Sequence, residues 1–325
     1  ARHEGGSSSP FLLPLSNISH FDILKKMPQC IIGKYTVDKV EVGSGASCSV
    51  KSGKHRETGR RVAVKFYRKS GSANEAFERE CCALRRVRHP HIIEIEEAIT
   101  DQKSKNVIIQ PFADHGDFLN HISEHGALGE ELARAVVRKI AGALEACHER
   151  GIIHRDLKPE NMLLDGGLNP KICDFGFSAI SNFVEAEEKM NDANIFCSMK
   201  TKAGSLSYMA PEVCNGKQQT AAVDVWSLGV CAFIFVTGFP PYVEPTPNDY
   251  WFRTLTMNTK LFWMAHERHA NFSSDFKNVI ERLLCKDPKK RITLKELRQH
   301  KWMQTDCLSD EEMRQAFAAR LKQSP

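Results

Sequence analysis

The hydrophobic pattern of the chain changes its period once, and this change limits the possible folds more than any other feature of the sequence. Between residues 35 and 68, short runs rich in β-branched and aromatic residues are separated by Gly and polar turns, which is typical of an antiparallel sheet. From about residue 130 onwards, apolar residues recur every three or four positions, which indicates amphipathic helices. The sequence therefore predicts an α+β protein in which a small strand-rich region precedes a larger, mainly helical one.

Two helices can be placed on this outline. The strand-rich region contains one helical stripe with spacings of four, three and three residues, formed by Phe77, Cys81, Leu84 and Val87. Residues 224–238, "DVWSLGVCAFIFVTG", are apolar around most of the helix circumference, so we expect this helix to run through the core.

Composition limits the cellular setting and the kinds of partner. The net charge of +5 is spread along the 325 residues, so no clustered basic surface for nucleic acid is expected. The 11 cysteines form no C-x-x-C pair, which favours a reducing compartment over a disulfide framework. The longest apolar run, residues 228–236, is far shorter than the roughly 20 residues of a membrane span. We expect a soluble cytoplasmic, or else nuclear, protein without a signal peptide.

The residues that carry chemistry are concentrated in two neighbouring stretches, "IIHRDLKPENMLLD" at 152–165 and "ICDFG" at 172–176. Asp156, Asn161 and Asp174 supply oxygen ligands of the kind that Mg²⁺ prefers, together with substrate phosphates. These stretches therefore predict a site for a phosphorylated substrate and a hard divalent cation.

These stretches, together with motifs before and after them, resemble the eukaryotic protein kinase family. The H-R-D-L-x-x-x-N signature is complete from His154 to Asn161, and "VAVK" with Lys65, "DFG" at 174–176 and "APE" at 210–212 follow the family's order. The overall set of motifs is similar to that of the calcium/calmodulin-dependent kinase-like group of serine/threonine kinases. The resemblance implies a bilobal fold that uses ATP and Mg²⁺. It implies these boundaries: an extension, partly flexible or docked, at 1–34, a small lobe at 35–110, a large lobe at 111–302 and a helical tail at 303–325.

The resemblance also assigns roles to single residues. Asp156 would orient the attacking hydroxyl, Lys158 would stabilise the transferring phosphoryl group, and Asn161 with Asp174 would hold the metal. Lys65 would bind phosphates and pair with a helix glutamate. The nucleotide-binding set would be Val42, Gly43, Gly45, Val50, Ala63, Lys65, Glu80 and Leu163.

The resemblance also implies two ion pairs and one further carboxylate that support the active site. Glu75 and Glu78 compete with Glu80 for the pairing with Lys65, although the spacing to His89 favours Glu80. Structural roles are implied for Asp224, bracing the catalytic loop, and for the pair Glu212 and Arg291.

The stretch "EVGSGASCSV" at 41–50 lacks the third glycine of G-x-G-x-x-G, because Cys48 stands in its place. By itself the stretch favours an ordinary hairpin turn over a nucleotide site. Strand-like residues on both sides argue against a dinucleotide-binding loop, which runs from a strand into a helix. Within the kinase resemblance it becomes a phosphate cover in which Cys48 is a small structural residue.

Substrate and control are predicted from the same resemblance. Lys158 and Ser205 indicate Ser or Thr as the acceptor. Asp117 and Glu160 match acidic positions that receive a basic side chain upstream of the acceptor, although both could also simply solvate the rim of the cleft. Thr201, with Ser198 as the alternative, stands where relatives are phosphorylated by an upstream kinase.

Three questions stay open at the level of sequence. The residue behind adenine is Gln110 or, after a one-residue slip, Ile109. The tail, with its capping box at Ser309, can dock on the large lobe, occupy the cleft, or bind a regulator such as calmodulin, and its acidic first turn favours docking. A pseudokinase scaffold is the alternative to an active enzyme, but none of its expected losses, at Lys65, Asp156, Asn161 or Asp174, is present.

Overall fold

The computed structural model describes residues 30–45, 47–69, 71–100, 105–181, 205–217, 219–267 and 271–323. Six antiparallel strands form one sheet in the order β1-β2-β3-β4-β6-β5. The strands are Cys30–Ile32 (β1), Tyr35–Ser44 (β2), Cys48–His55 (β3), Arg61–Arg68 (β4), Glu97–Thr100 (β5) and Lys105–Pro111 (β6). The predicted small antiparallel lobe is confirmed.

The first strand lies where the sequence predicts an extension. Ile31 pairs with Thr36, and Gly33 closes the turn between the two strands in the left-handed region, with φ of 53°. Backbone pairing with β2 thus adds a three-residue edge strand, which has no alternating pattern of its own, before the predicted start of the small lobe at residue 35. Residues 1–29 of the predicted extension lie outside the described residues.

One helix, α1 (Ser72–Arg86), packs against this sheet. Its predicted apolar stripe is buried, with Phe77 at 7% exposure and Cys81 at 6%. These two side chains form a cluster with Tyr67 of β4 and Ile108 of β6, so the helix is fixed to the face of the sheet that carries Lys65. The predicted one-helix small lobe is confirmed.

The large lobe is mainly helical, as predicted. Its helices are Phe118–His125 (α2), Glu130–His148 (α3), Pro211–Cys214 (α4), Ala222–Thr237 (α5), Tyr250–Met257 (α6), Thr259–His266 (α7), Ser274–Leu283 (α8), Leu294–Gln299 (α9), Lys301–Gln304 (α10) and Asp310–Leu321 (α11). Two short antiparallel pairs complete it: Ile152–Ile153 (β7) with Ala179–Ile180 (β10), and Met162–Leu164 (β8) with Pro170–Ile172 (β9).

Helix α5 runs through the centre of this lobe, and every residue from Val223 to Val236 is buried. This burial follows from the apolar circumference of the helix. Within the described residues, no helix combines the length and apolar composition needed to cross a membrane.

The last helix, α11, contacts the large lobe. It begins at the predicted capping box, in which Ser309 and Glu312 exchange hydrogen bonds. Met313 and Phe317 are buried, and the Phe317 ring packs edge-on against Phe118 with centroids 5.8 Å apart. Arg320 donates hydrogen bonds to the carbonyl oxygens that end α2.

Candidate active site

A cleft of about 540 Å³ lies between the sheet of the small lobe and the helical lobe. Its lining includes most of the side chains singled out from the sequence. These are Val42, Gly43, Gly45, Val50, Ala63, Lys65, Asp117, Asp156, Lys158, Glu160, Asn161, Leu163 and Asp174. Glu80 is the exception among the predicted nucleotide-binding residues: it is fully buried behind Lys65 and does not line the cleft.

The glycine stretch forms the hairpin between β2 and β3. Gly43 pairs with Val50, and the Gly45 amide donates to the Cys48 carbonyl at 2.8 Å. The stretch is therefore both the hairpin turn and the phosphate cover considered for it, because this turn lies over the cleft. The Cys48 thiol packs against the cluster that contains Tyr67, and burial raises its pKa to about 12. It is therefore a neutral packing group.

The predicted ion pair on the small lobe is present. Lys65 Nζ lies 2.7 Å from Glu80 Oε1, whereas the competing Glu75 and Glu78 are exposed. Burial alone would lower the pKa of Lys65, but the charges of Glu80 and Asp174 raise it above its ordinary value. Lys65 therefore remains a cation beside the cleft.

In the catalytic loop, two side chains donate hydrogen bonds to the Asp156 carboxylate. Lys158 Nζ donates to both oxygens of Asp156, at 3.0 and 2.8 Å. Asn161 Nδ2 donates to the Asp156 carbonyl oxygen at 2.7 Å and to its carboxylate at 2.9 Å. The Asp156 carboxylate is thus fixed in direction at the mouth of the cleft.

The loop itself is held from below by a buried carboxylate. Asp224 of α5 accepts from the amides of His154 and Arg155, at 2.9 and 2.8 Å, and Arg155 adopts a left-handed φ of 68°. A non-glycine residue in this region is strained, and these hydrogen bonds keep it there. The predicted brace of the loop is therefore present.

Asp174 follows β9 and faces Lys65 across the cleft. It also has a left-handed backbone, with φ of 63°, and its carboxylate accepts from the Gly176 amide at 3.4 Å. Burial alone would raise the pKa of Asp174, but Lys65, His154 and Lys158 overcome it and lower the pKa. Asp174 is therefore an anion aimed into a cleft that also holds two cations.

The residues expected to hold the metal fit a magnesium ion. Asn161 and Asp174 supply an amide and a carboxylate, and Mg²⁺ is usually bound through one or two carboxylates plus substrate phosphates and water. The described residues contain no cluster of three or more His, Cys, Asp or Glu that would form an all-protein cage. A two-residue site completed by phosphates agrees with both observations.

Asp117 and Glu160 lie together at the rim of the cleft. Burial raises the pKa of both carboxyl groups, although each remains partly accessible. Glu160 Oε2 is buried and has no hydrogen-bond partner within the described part of the chain. Asp117 is satisfied in part, because it caps α2 by accepting from the Asn120 amide.

The structure decides between the two candidates behind adenine. Gln110 lines the cleft, and its side chain donates to Glu80 at 3.4 Å. Ile109 points to the opposite face of the sheet, where it packs with Val62 and Val64. Successive residues of a strand alternate between faces, so only one of the two can reach the cleft.

The regulatory positions are less fully described. Thr201 and Ser198 lie outside the described residues. Ser205 begins a short 3-10 helix, Ser205–Tyr208, which precedes the "APE" stretch.

The comparison with protein families agrees with this geometry. Residues 36–303 match the model described as protein kinase domain. The chain belongs to the protein kinase family.

Relatives of the chain carry serine/threonine kinase names. The chain is 35% identical over 279 residues to serine/threonine-protein kinase SIK2 of Gallus gallus, which covers 85% of this chain and 32% of the relative. It is 33% identical over 277 residues to CBL-interacting protein kinase 11 of Oryza sativa subsp. japonica, covering 84% and 52%. The serine/threonine type and subgroup expected from the sequence agree with these relatives. The chain thus spans between a third and about half of the relatives' lengths.

Sequence reasoning missed two functional neighbours of Glu80. Tyr67 donates to Glu80 Oε2 at 2.5 Å, and Gln110 was considered only as a wall of the pocket. A signal for Tyr67 was available, because it stands two residues after Lys65 on the same strand and so shares its face. No sequence signal pointed from Gln110 to Glu80.

Proposed function

We propose that this protein transfers the γ-phosphate of ATP to Ser or Thr hydroxyls of protein substrates. The observation that carries the proposal is the convergence of Lys65, Asp156, Lys158, Asn161 and Asp174 on one cleft under a glycine hairpin. Phosphoryl transfer depends mainly on positioning and electrostatic stabilisation, and these side chains supply both. The complete set argues against the alternative function, a pseudokinase scaffold that acts through protein binding.

Each side chain has a defined part in this mechanism. The Asp156 carboxylate, fixed by Lys158 and Asn161, accepts a hydrogen bond from the substrate hydroxyl and directs its oxygen at the phosphoryl group. The Lys158 ammonium balances charge on the group in transfer, and Lys65 holds the remaining phosphates. Asn161 and Asp174 would hold Mg²⁺, which neutralises charge on the phosphate oxygens when it is bound.

A transfer assay tests this proposal. The full chain is incubated with radiolabelled ATP, Mg²⁺ and a degenerate peptide library, in parallel with Asp156→Asn and with Asp306→Asn as an exposed control. We expect label on Ser and Thr peptides from the wild type and from Asp306→Asn, and at least about 100-fold less from Asp156→Asn. Absence of transfer by the wild type in every phosphorylation state would favour the scaffold.

We further propose a preference for a basic residue upstream of the acceptor. The buried Glu160 Oε2, which has no hydrogen-bond partner among the described residues, and the neighbouring Asp117 carboxylate support it, since a carboxylate oxygen shielded from water gains most from a cation. Replacing Glu160 with Gln removes the charge and keeps the shape, and we expect KM to rise for Arg-containing peptides only. Equal turnover of peptides with Arg and with Ala upstream would contradict the preference.

We propose that phosphorylation of Thr201 raises activity. Its support is that relatives are phosphorylated at this position. A phosphate on Thr201 would also bring negative charge that can pair with the cationic Arg155 next to Asp156. The test compares Thr201→Ala with Ser198→Ala after treatment with an activating kinase. Full activity of Thr201→Ala would reject Thr201 in favour of another site.

We propose that the tail helix is a brace on the large lobe rather than an inhibitor in the cleft. Buried Met313 and Phe317 and the Arg320 hydrogen bonds to the end of α2 support this role. A Phe317→Ala variant should therefore unfold more easily while its kcat does not increase. An increase in kcat would indicate release of an inhibitory tail.

We also propose a cytoplasmic or nuclear location, supported by the free thiols of the described cysteines.

A further inference from the structure

Glu80 is a fully buried carboxylate whose two oxygens accept hydrogen bonds from three side chains. Oε1 accepts from Lys65 at 2.7 Å and from Gln110 at 3.4 Å, and Oε2 accepts from the Tyr67 hydroxyl at 2.5 Å. Lys65 and Tyr67 are on β4, Gln110 is on β6, and Glu80 is on α1. All four residues therefore belong to the small lobe.

A buried ion pair alone would be a poor anchor for α1. Removing a carboxylate from water is costly, and one cation offsets that cost only when further donors satisfy the remaining lone pairs. Bound phosphates also compete with Glu80 for the Lys65 ammonium, which is a point charge with three N–H donors. Something other than Lys65 must then keep Glu80 in place.

Tyr67 is suited to that task because it makes no contact with the cleft. It is 1% exposed and does not line the cleft, so its hydroxyl can influence the nucleotide only indirectly, through Glu80 or through the neighbouring Cys48, which does line the cleft. Burial and the charge of Glu80 raise the pKa of Tyr67 well above its usual value, so the hydroxyl stays protonated and donates. The Tyr67 ring is itself packed against Phe77 of α1, with centroids 5.6 Å apart.

We propose that Tyr67, assisted by Gln110, is a positioning residue that holds Glu80 against Lys65 and thereby sets the affinity for the phosphates of ATP. The three donors share one acceptor group, so an outward rotation of α1 would leave buried Tyr67 and Gln110 without that partner at the same time. An unpaired buried donor costs the full desolvation of the group. The small lobe therefore favours the assembled pair through its own side chains. The inference rests on the proposed ATP-dependent function.

The first test is the affinity of the full chain for ATP with Mg²⁺, measured by calorimetry. Tyr67→Phe removes one oxygen atom, and we expect binding about 3- to 10-fold weaker. Tyr35→Phe is the matched control, because Tyr35 is equally buried but belongs to the cluster on the other face of the sheet. An equal loss of affinity in both variants, or none in Tyr67→Phe, would overturn the proposal.

A double-mutant cycle separates positioning from general damage. If Tyr67 acts through the Glu80 carboxylate, adding Tyr67→Phe to Glu80→Gln should change the ATP affinity less than about 2-fold. An undiminished effect of Tyr67→Phe in that background would show that the hydroxyl acts by another route.

Hydrogen exchange without nucleotide tests the positioning role of Tyr67 independently of ATP binding. We expect Tyr67→Phe to accelerate exchange in residues 72–86 of α1, with the β2 and β3 amides unchanged relative to Tyr35→Phe. Unchanged protection of α1 would overturn the positioning role even if ATP binds normally. Conversely, if the wild type bound no ATP but Tyr67→Phe still accelerated exchange in α1, the proposed function would be contradicted and the positioning role of Tyr67 would be supported.

Discussion

At the scale of single residues, the ion pair of Glu212 and Arg291 joins the "APE" stretch at 210–212 to the loop between α8 and α9. The Arg291 side chain is fully buried and contacts both carboxylate oxygens, at 2.6 and 2.9 Å. Its guanidinium also donates to the carbonyl oxygens of Ala222 and Cys285, so it ties α4 to the start of α5. The predicted ion pair therefore also connects several parts of the large lobe through the hydrogen bonds of Arg291.

Arg291→Met should lower the free energy of unfolding by about 3–5 kcal/mol, because it leaves the Glu212 carboxylate buried and uncompensated. Urea unfolding monitored by Trp fluorescence measures the loss. Arg291→Lys keeps the charge but not the planar fork, and we expect an intermediate loss. A change below about 1 kcal/mol in Arg291→Met would mean that water reaches Glu212.

At the scale of elements, Gly229 sets the distance between α5 and α8. A Cβ atom at this position would lie 2.7 Å from Leu283 Cβ and 2.9 Å from Leu284 Cδ2. A change to Ala gains about 1 kcal/mol of helix propensity, but overpacking against a fixed Cβ costs about 1–3 kcal/mol. Close packing of the two helices therefore opposes the local preference of the chain.

We expect Gly229→Ala to be destabilising overall, which a thermal unfolding scan would detect. Gly142→Ala on α3 is the matched control, since its Cβ would lie 3.8 Å from His89 Nε2, an ordinary contact. That variant should be neutral or more stable. Equal stabilisation by both substitutions would show that α5 and α8 can move apart without loss.

His121 connects the tail helix to α2 and should make this junction dependent on pH. Its Nε2 accepts from Arg320 at 3.2 Å, and burial together with Arg320 lowers the pKa of His121 to about 4. The unfolded chain binds this proton near a pH of about 6.5, whereas the folded chain resists it until about 4. Stability contributed by neutral His121 is therefore lost as the pH falls between these two values.

His121→Gln keeps an acceptor for Arg320 but does not titrate. We expect the free energy of unfolding of this variant to fall less steeply than that of the wild type between pH 6.5 and 4, within the window set by the two pKa values. A wild-type slope in His121→Gln would place the titration elsewhere.

At the scale of the whole molecule, local patterns predict a strand-rich region followed by a helical one, and the resemblance to protein kinases implies which residues line the cleft between them. Periodicity separates strands from helices. The order of the motifs, which matches the family, predicts that distant residues such as Lys65 and Asp174 lie in one cleft. The edge strands β1 and β5 were missed, since runs of three and four residues carry no period and form by pairing with neighbours. The Tyr67 hydrogen bond depends on how α1 faces the sheet, which no single stretch specifies.

The destination of the tail was open for a different physical reason. An apolar stripe such as that of Met313 and Phe317 can cover any apolar surface of matching shape, whether in this chain or in a partner. Only the surroundings can distinguish these cases, and the contacts of α11 with the Phe118 ring and with the carbonyl oxygens at the end of α2 support the proposed docking on the large lobe. Sequence patterns identify the apolar face of such a helix but not the surface that this face contacts.

Because the cleft is lined by both lobes, nucleotide binding should stabilise the whole molecule against unfolding. A ligand at 100 times its Kd adds about 2.7 kcal/mol, and part of this gain with ATP should require Mg²⁺. If Asp174 holds the ion as proposed, its carboxylate would supply the anionic ligand, so Asp174→Asn should lose the magnesium-dependent part, whereas Asp117→Asn, at the rim of the same cleft, should keep it. Thermal unfolding with ATP, in Mg²⁺ or in EDTA, measures the difference. An equal effect of Mg²⁺ on both variants would remove Asp174 from the metal site.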